Sequence, residues 1–172
     1  EDAISMWRRI VREREGEPHW PMALFHLGQA YRSIGEYGDA INQFQLLKRK
    51  HPQSTAVYQA MVPLAKCYMA IEPPNYKKAE WLLLSVRKDP ALTPLAPAYR
   101  DATFELGNLY SDHQAYADAI NILHEAIDRY PDDKKAGNAL FLVADAYRRT
   151  WRENQAEIPP GNVRFVSGTV QA

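Results

Sequence analysis

His124-Glu125, followed by Asp128, is the group in this sequence that comes nearest to a catalytic metal motif. A zinc-binding helix of that type needs two histidines four positions apart on one face, with the glutamate beside the first acting as base. Position 128 is aspartate, the second imidazole is missing, and the stretch reads as a solvated or partly packed helix. Cys67 stands beside Tyr68 with no base at helical spacing, so it reads as a small buried packing residue rather than a nucleophile. His19, His26, His51 and His113 are scattered over turns and helix faces without ligand spacing. There is no glycine-rich phosphate loop, and Asp132-Asp133-Lys134-Lys135 reads as an exposed helix start, where acids suit the positive end of the helix dipole. These residues predict a chain without a catalytic centre, metal or cofactor.

The surroundings of these residues narrow the class further. A length of 172 residues suits one compact domain or one short repeat array. Lys and Arg total 21 against 21 Asp and Glu, giving zero formal charge. Indiscriminate nucleic-acid binding draws on a basic excess that this chain lacks, so no nucleic-acid partner is expected. One cysteine excludes an intramolecular disulfide and a multi-thiolate metal site. An apolar fraction of 46% supports a core, whereas the apolar runs are too short to cross a bilayer, so no direct membrane insertion is expected of this segment. Beginning at Glu1 rather than at a methionine is expected of a segment taken from a longer protein.

Internal repetition is the dominant signal. Leu27-Gly28, Tyr31, Ala40, Phe44 and Pro52 return as Leu106-Gly107, Tyr110, Ala119, Leu123 and Pro131. A looser copy runs through Leu64-Ala65, Tyr68, Ala79, Leu83 and Pro90, and Val143-Ala144 with Tyr147 begins another. The residue types have a steric rationale: Gly28, Ala65, Gly107 and Ala144 are small where a first helix must let a second approach, and Ala40, Ala79 and Ala119 are small on the opposing face. The tyrosines then fill the wedge one turn away, ring towards the core and hydroxyl towards its edge. Helices are expected near 3–15, 21–34, 37–50, 55–71, 75–88, 95–112, 116–130 and 133–153. Ser54 and Asp133 are expected N-caps, and Thr93 a cap followed by Pro94 at the first helical position. Pro63 falls inside a helix and predicts a kink.

These motifs resemble the tetratricopeptide repeat family over about Pro21 to Trp151. The resemblance implies an all-α fold: a right-handed superhelical solenoid of antiparallel helix pairs, about three full repeats with partial ones at either end. Residues 1–20 would be a helix of a truncated preceding repeat with its linker, 21–153 the array, and 154–172 a tail outside the pattern, with strand-like Val163, Phe165, Val166 and Val170. The small residues recur at 37, 42 and 37 positions, against 34 in the standard repeat. That period, with Pro52-Gln53-Ser54 and Pro131-Asp132-Asp133, resembles the long-helix repeats of bacterial envelope proteins such as the periplasmic Tol-Pal accessory protein. A periplasmic or membrane-tethered bacterial location is the corresponding expectation.

In this family the first helices line the concave surface. Counting from each small residue places Phe25, Gln29 and Arg32 on that surface in the first repeat, Lys66 and Met69 in the second, Phe104, Asn108 and Asp112 in the third, and Phe141, Asp145, Arg148 and Arg149 in the last. The two-carboxylate clamp of chaperone-binding members is not reproduced, because Phe25, Gln29, Val62, Lys66 and Met69 occupy its positions. Rings with both signs of charge suit a partner helix or an extended peptide. The expectation is a noncatalytic protein-interaction scaffold, part of a larger protein, that binds a protein or peptide in this groove. The alternative is a structural module forming a homo-oligomer through open solenoid ends, given Trp7 and the incomplete last repeat. The tail, Asn162 to Ala172, could also occupy a groove as a peptide mimic.

Overall fold

The computed structural model describes residues 2–156. Helices α1 (Ala3–Glu13), α2 (Trp20–Ser33), α3 (Tyr37–Lys50), α4 (Thr55–Ala70), α5 (Tyr76–Arg87), α6 (Pro97–Asp112), α7 (Tyr116–Arg129) and α8 (Ala136–Ala156) follow one another with no strand among the described residues. Each helix packs on its neighbours in sequence, and α2, α4, α6 and α8 also pack in succession as an inner layer. The expectations for the tail fall outside the described residues.

The small residues make the pairing possible. A Cβ added at Gly28 would lie 2.5 Å from Cε1 of Phe44, and one at Gly107 would lie 2.3 Å from Cδ2 of Leu123. No such approach is tolerated by a larger side chain without displacement. Ala40, Ala65, Ala79 and Ala119 are fully buried on the matching faces. One continuous apolar cluster runs from α2 to α6, and a second joins α6, α7 and α8 around Phe104, Leu123 and Val143.

Turns repeat as faithfully as helices. The Glu36 N–H donates to the Tyr31 carbonyl at 3.0 Å, and Ala115 N–H to that of Tyr110 at 2.9 Å. Gly35 takes φ 82° in the first turn, and Gln114, seven residues after Gly107 as Gly35 is after Gly28, takes φ 61°. The backbone shape is therefore set by the helix pair, and it persists where glycine is absent. In the longer middle turn Asn75 N–H donates to the Tyr68 carbonyl at 2.7 Å, and the Asn75 side chain caps α5 by accepting from Lys78 N–H at 3.0 Å.

Two helix starts, those of α6 and α8, are capped differently from the sequence expectation. Ser54 caps α4 by accepting from Ala56 N–H at 3.3 Å, as expected. Thr93 and Pro94, however, form a turn closed by Ala96 N–H on the Thr93 carbonyl. Ala96 is the N-cap and Pro97 opens α6, because a residue before proline is pushed to the extended conformation Ala96 adopts. Asp133 accepts from Lys135 N–H at 2.9 Å within a turn, and α8 begins three residues later than expected. Helix α4 continues through Pro63 as one helix.

The repeated tyrosines do more than fill space. Tyr31 accepts from Arg8 Nε at 2.6 Å, Tyr68 pairs with Gln45, and Tyr110 donates to Glu80 at 2.9 Å. Each partner belongs to the second helix of the preceding pair, so the hydroxyl ties one unit to the next. Arg8, Gln45 and His124 each precede a repeated tyrosine by 23 residues, and His124 meets the ring of Tyr147 edge-on at 6.3 Å.

Candidate partner-binding groove

The inner helices enclose a cleft of about 370 Å³. Phe25, Gln29 and Arg32 of α2 form one wall, Tyr58, Gln59, Val62, Pro63 and Lys66 of α4 the floor, and Pro97, Ala98, Asp101 and Glu105 of α6 the other wall, with Lys135 at the rim. Pro63 has no N–H to give the Gln59 carbonyl, so that floor carries a backbone acceptor lacking its usual helical donor.

Charge in the cleft is mostly committed. Lys66 Nζ donates to Glu105 at 2.7 Å, and Glu105 is only 7% exposed. Lys135 Nζ donates to Asp101 at 2.8 Å and also lies over the Phe104 ring, 5.7 Å from its centroid. Arg32 differs: its Nε donates to the neutral Gln29 amide oxygen at 2.9 Å, and it has no carboxylate partner among the described residues. A half-buried guanidinium with a neutral partner retains donors for an incoming carboxylate. Burial pushes the Cys67 thiol up to about 11, with Arg32 pulling it partly back, so this fully buried thiol stays protonated at neutral pH.

A second cleft opens between the end of α6 and α8. Asp112, Tyr116, Phe141, Asp145, Arg148 and Arg149 line it. Asp145 accepts from two nitrogens of Arg148 and, at 2.6 Å, from Arg149, and the hydrogen bonds from these two arginines hold its carboxyl below the usual aspartate range.

The structure thus divides the residues singled out from sequence. Phe25, Gln29, Arg32 and Lys66 meet in the α2–α4–α6 cleft, whereas Asp112, Phe141, Asp145, Arg148 and Arg149 line the second. Met69 is half-buried against the core and Asn108 is half-buried outside both clefts. Phe104 is corrected most clearly: at 2% exposure, packed 6.0 Å from the Tyr130 ring, it is a core residue and no groove surface. The equivalent Phe25 is half-buried and Phe141 is 66% exposed, so position in the repeat does not fix exposure. Counting only one turn before the small residue missed Tyr58, Gln59, Pro97 and Ala98; a second turn back along the same face reaches Tyr58 and Gln59, and a third reaches Pro97 and Ala98. Lys135 carried no such signal, because it precedes its helix.

Glu125 has a structural role. Arg87 donates to it at 2.5 Å and Tyr99 at 3.1 Å, with Arg129 at 3.3 Å, which joins α5, α6 and α7. Among the described residues no cluster of three His, Cys, Asp or Glu could hold a metal, and no helix is long and apolar enough to cross a membrane.

The tetratricopeptide repeat family model matches residues 22–54 and 101–133, the α2–α3 and α6–α7 pairs. The α4–α5 pair, with its longer turn, lies outside the match. No curated protein matches the sequence. Among solved structures, the TPR-like repeats of a putative kinesin light chain from Podosopora anserina align with a TM-score of 0.68 at 17% identity, covering 90% of this chain and 80% of that one. A MamA structure aligns at 0.58 with 19% identity, over 89% and 90% of the two chains. A MamA fragment from Desulfovibrio magneticus RS-1 aligns at 0.54 with 20% identity, over 91% and 98%. Identities this low carry the fold: an all-α helical repeat solenoid of the tetratricopeptide type.

Proposed function

We propose that this chain is a noncatalytic scaffold whose α2–α4–α6 cleft binds a segment of a protein partner and anchors one partner carboxylate on Arg32. Tetratricopeptide-type repeats are generally non-enzymatic protein-interaction scaffolds, which supplies the class. The observation that carries the finer reading is the uncommitted Arg32 guanidinium, set in a cleft whose other cations, Lys66 and Lys135, already hold Glu105 and Asp101. Phe25, Val62 and Pro63 offer apolar contact beside it, while Gln29 and Gln59 offer amides to a peptide backbone. The zero net charge sets this reading apart from a phosphate-backbone binder.

Selection of a displayed random-peptide library against the chain tests it. Recovered peptides are expected to carry an Asp or Glu, and Arg32→Glu is expected to weaken them by about 10–150-fold in calorimetry. That range corresponds to a charge-assisted hydrogen bond of roughly 1.5–3 kcal/mol. Peptides without an acid, or affinities unmoved by Arg32→Glu, would remove Arg32 from the site. Reversing Lys66 is a poorer test, because it would leave the buried Glu105 carboxylate facing another.

A further inference from the structure

The floor of the groove holds an acceptor that its own helix does not use. A helical carbonyl points along the axis towards the N–H four positions on. For Gln59 that position is Pro63, inside α4, which has no N–H. Gln59 and Pro63 both line the cleft, so the stretch of backbone between them, where that oxygen sits, lies on the cleft side of α4. Gln59 is exposed and Pro63 half-buried, whereas Ala60, Met61 and Leu64 are buried on the core side.

The feature belongs to this repeat alone. The residue two positions before the small one is His26 in α2, Glu105 in α6 and Leu142 in α8, and each of these has an N–H. Helix α4 is otherwise an ordinary first helix: Ser54 caps it, Ala65 is fully buried, and Tyr68 pairs with Gln45. The cleft's cationic side chains are directed elsewhere, Arg32 Nε to Gln29, Lys66 to Glu105 and Lys135 to Asp101. What suits the Gln59 oxygen is an N–H from outside the chain. Inside a partner helix the N–H groups are already spent on that helix's own carbonyls, but an extended segment keeps its own free.

We infer that the partner lies in the groove as an extended segment, donating one backbone N–H to the Gln59 carbonyl while its acidic side chain meets Arg32. This rests on the groove reading above and narrows it, because a helix laid along the groove has no such N–H to give. Phe25, Val62 and the Pro63 ring then flank the segment as apolar contacts for its side chains.

Backbone ester scanning tests the inference, using a synthetic acidic peptide recovered by the library selection and the full 172-residue chain. Each ester replaces one peptide N–H by oxygen with little change of shape. At one position the ester is expected to weaken binding by about 2–13-fold, the range given by a neutral hydrogen bond of about 0.5–1.5 kcal/mol. Pro63→Ala supplies the missing N–H within α4 and engages the Gln59 carbonyl. It should weaken the parent peptide by a similar factor, and the ester that weakened binding to the unaltered chain should then have no further effect. The variant is expected to fold, since it removes a poor helix former from a helix interior, and undiminished helicity by circular dichroism checks this. A peptide that tolerates an ester at every position overturns the inference on the unaltered chain alone. So does an ester loss that persists in Pro63→Ala, or a Pro63→Ala chain that binds the parent peptide as tightly as the unaltered one. Failure of the groove reading itself looks different: affinity is then unmoved by Arg32→Glu, whatever the esters do.

Discussion

Gly107→Leu is expected to lower the melting temperature by about 4–8 °C. The Cβ alone would stand 2.3 Å from Cδ2 and 2.6 Å from Cγ of Leu123. Because the branch carbon also lies well inside contact distance, rotation of the terminal methyls about χ2 does not relieve the clash. Leu123 is fully buried and has no open space to move into. Overpacking of this kind costs roughly 3 kcal/mol at the upper end, and the better helix propensity of leucine returns about 1. The net of about 2 kcal/mol gives the stated shift for a chain of this length. Gly137→Ala is the internal control: nothing lies within 4 Å of its added Cβ, so the melt should hold steady or rise. A thermal melt unchanged by Gly107→Leu would contradict the close pairing of α6 and α7.

The corresponding contact in the first pair predicts a reversal of sign. Phe44→Ala should cost about 3–5 kcal/mol, as expected for a ring buried to 1% exposure. Gly28→Ala alone should cost about 1–3 kcal/mol, because its Cβ would meet the Phe44 ring at 2.5 Å. In the Phe44→Ala background the obstacle is gone, and the same Gly28→Ala should stabilise by up to about 1 kcal/mol through helix propensity. Denaturant unfolding of the four proteins measures the cycle. Additive losses would mean that Gly28 is small for some reason other than Phe44.

The architecture was legible because one steric demand recurs. Each pair must bring two helices close, so small residues recur on both helices, Gly28 with Ala40, Ala65 with Ala79 and Gly107 with Ala119, and the recurrence also located the turns. Boundaries were less legible where two signals compete. Thr93-Pro94 and Ala96-Pro97 both offer a proline at a helix start, and only packing of the α5–α6 connection selects the second. Groove residues were the least legible, for a physical reason: exposure depends on what the next unit places over a position. Phe104 and Phe141 stand at the same place in their repeats, yet Lys135 and Tyr130 cover the first and no described helix covers the second. Ion pairing was equally hidden. Lys66 and Glu105 are 39 residues apart, and nothing in that spacing shows that they neutralise each other. The cleft's other cations are paired across neighbouring helices, Lys66 with Glu105 and Lys135 with Asp101, and this leaves Arg32 as the groove cation with an unmet demand for a carboxylate.

The tyrosine ties leave a signal in the sequence spacing. Arg8, Gln45 and His124 occupy one repeat position, 23 residues ahead of a tyrosine, and the first two hydrogen-bond its hydroxyl. In the middle copy the longer connection moves the frame, and Glu80 supplies the bond from a different turn of α5. The inter-unit contact is thus kept while the residue that makes it changes.

The central claim is that recognition takes place in the cleft between the first helices. Amide chemical-shift mapping with an acidic peptide recovered from the library tests it most directly. Perturbations are expected at Phe25, Gln29, Arg32, Gln59 and Lys66, on the inner faces of α2 and α4. Perturbations confined to the outer helices α3, α5 and α7, with those five amides unmoved, would contradict it.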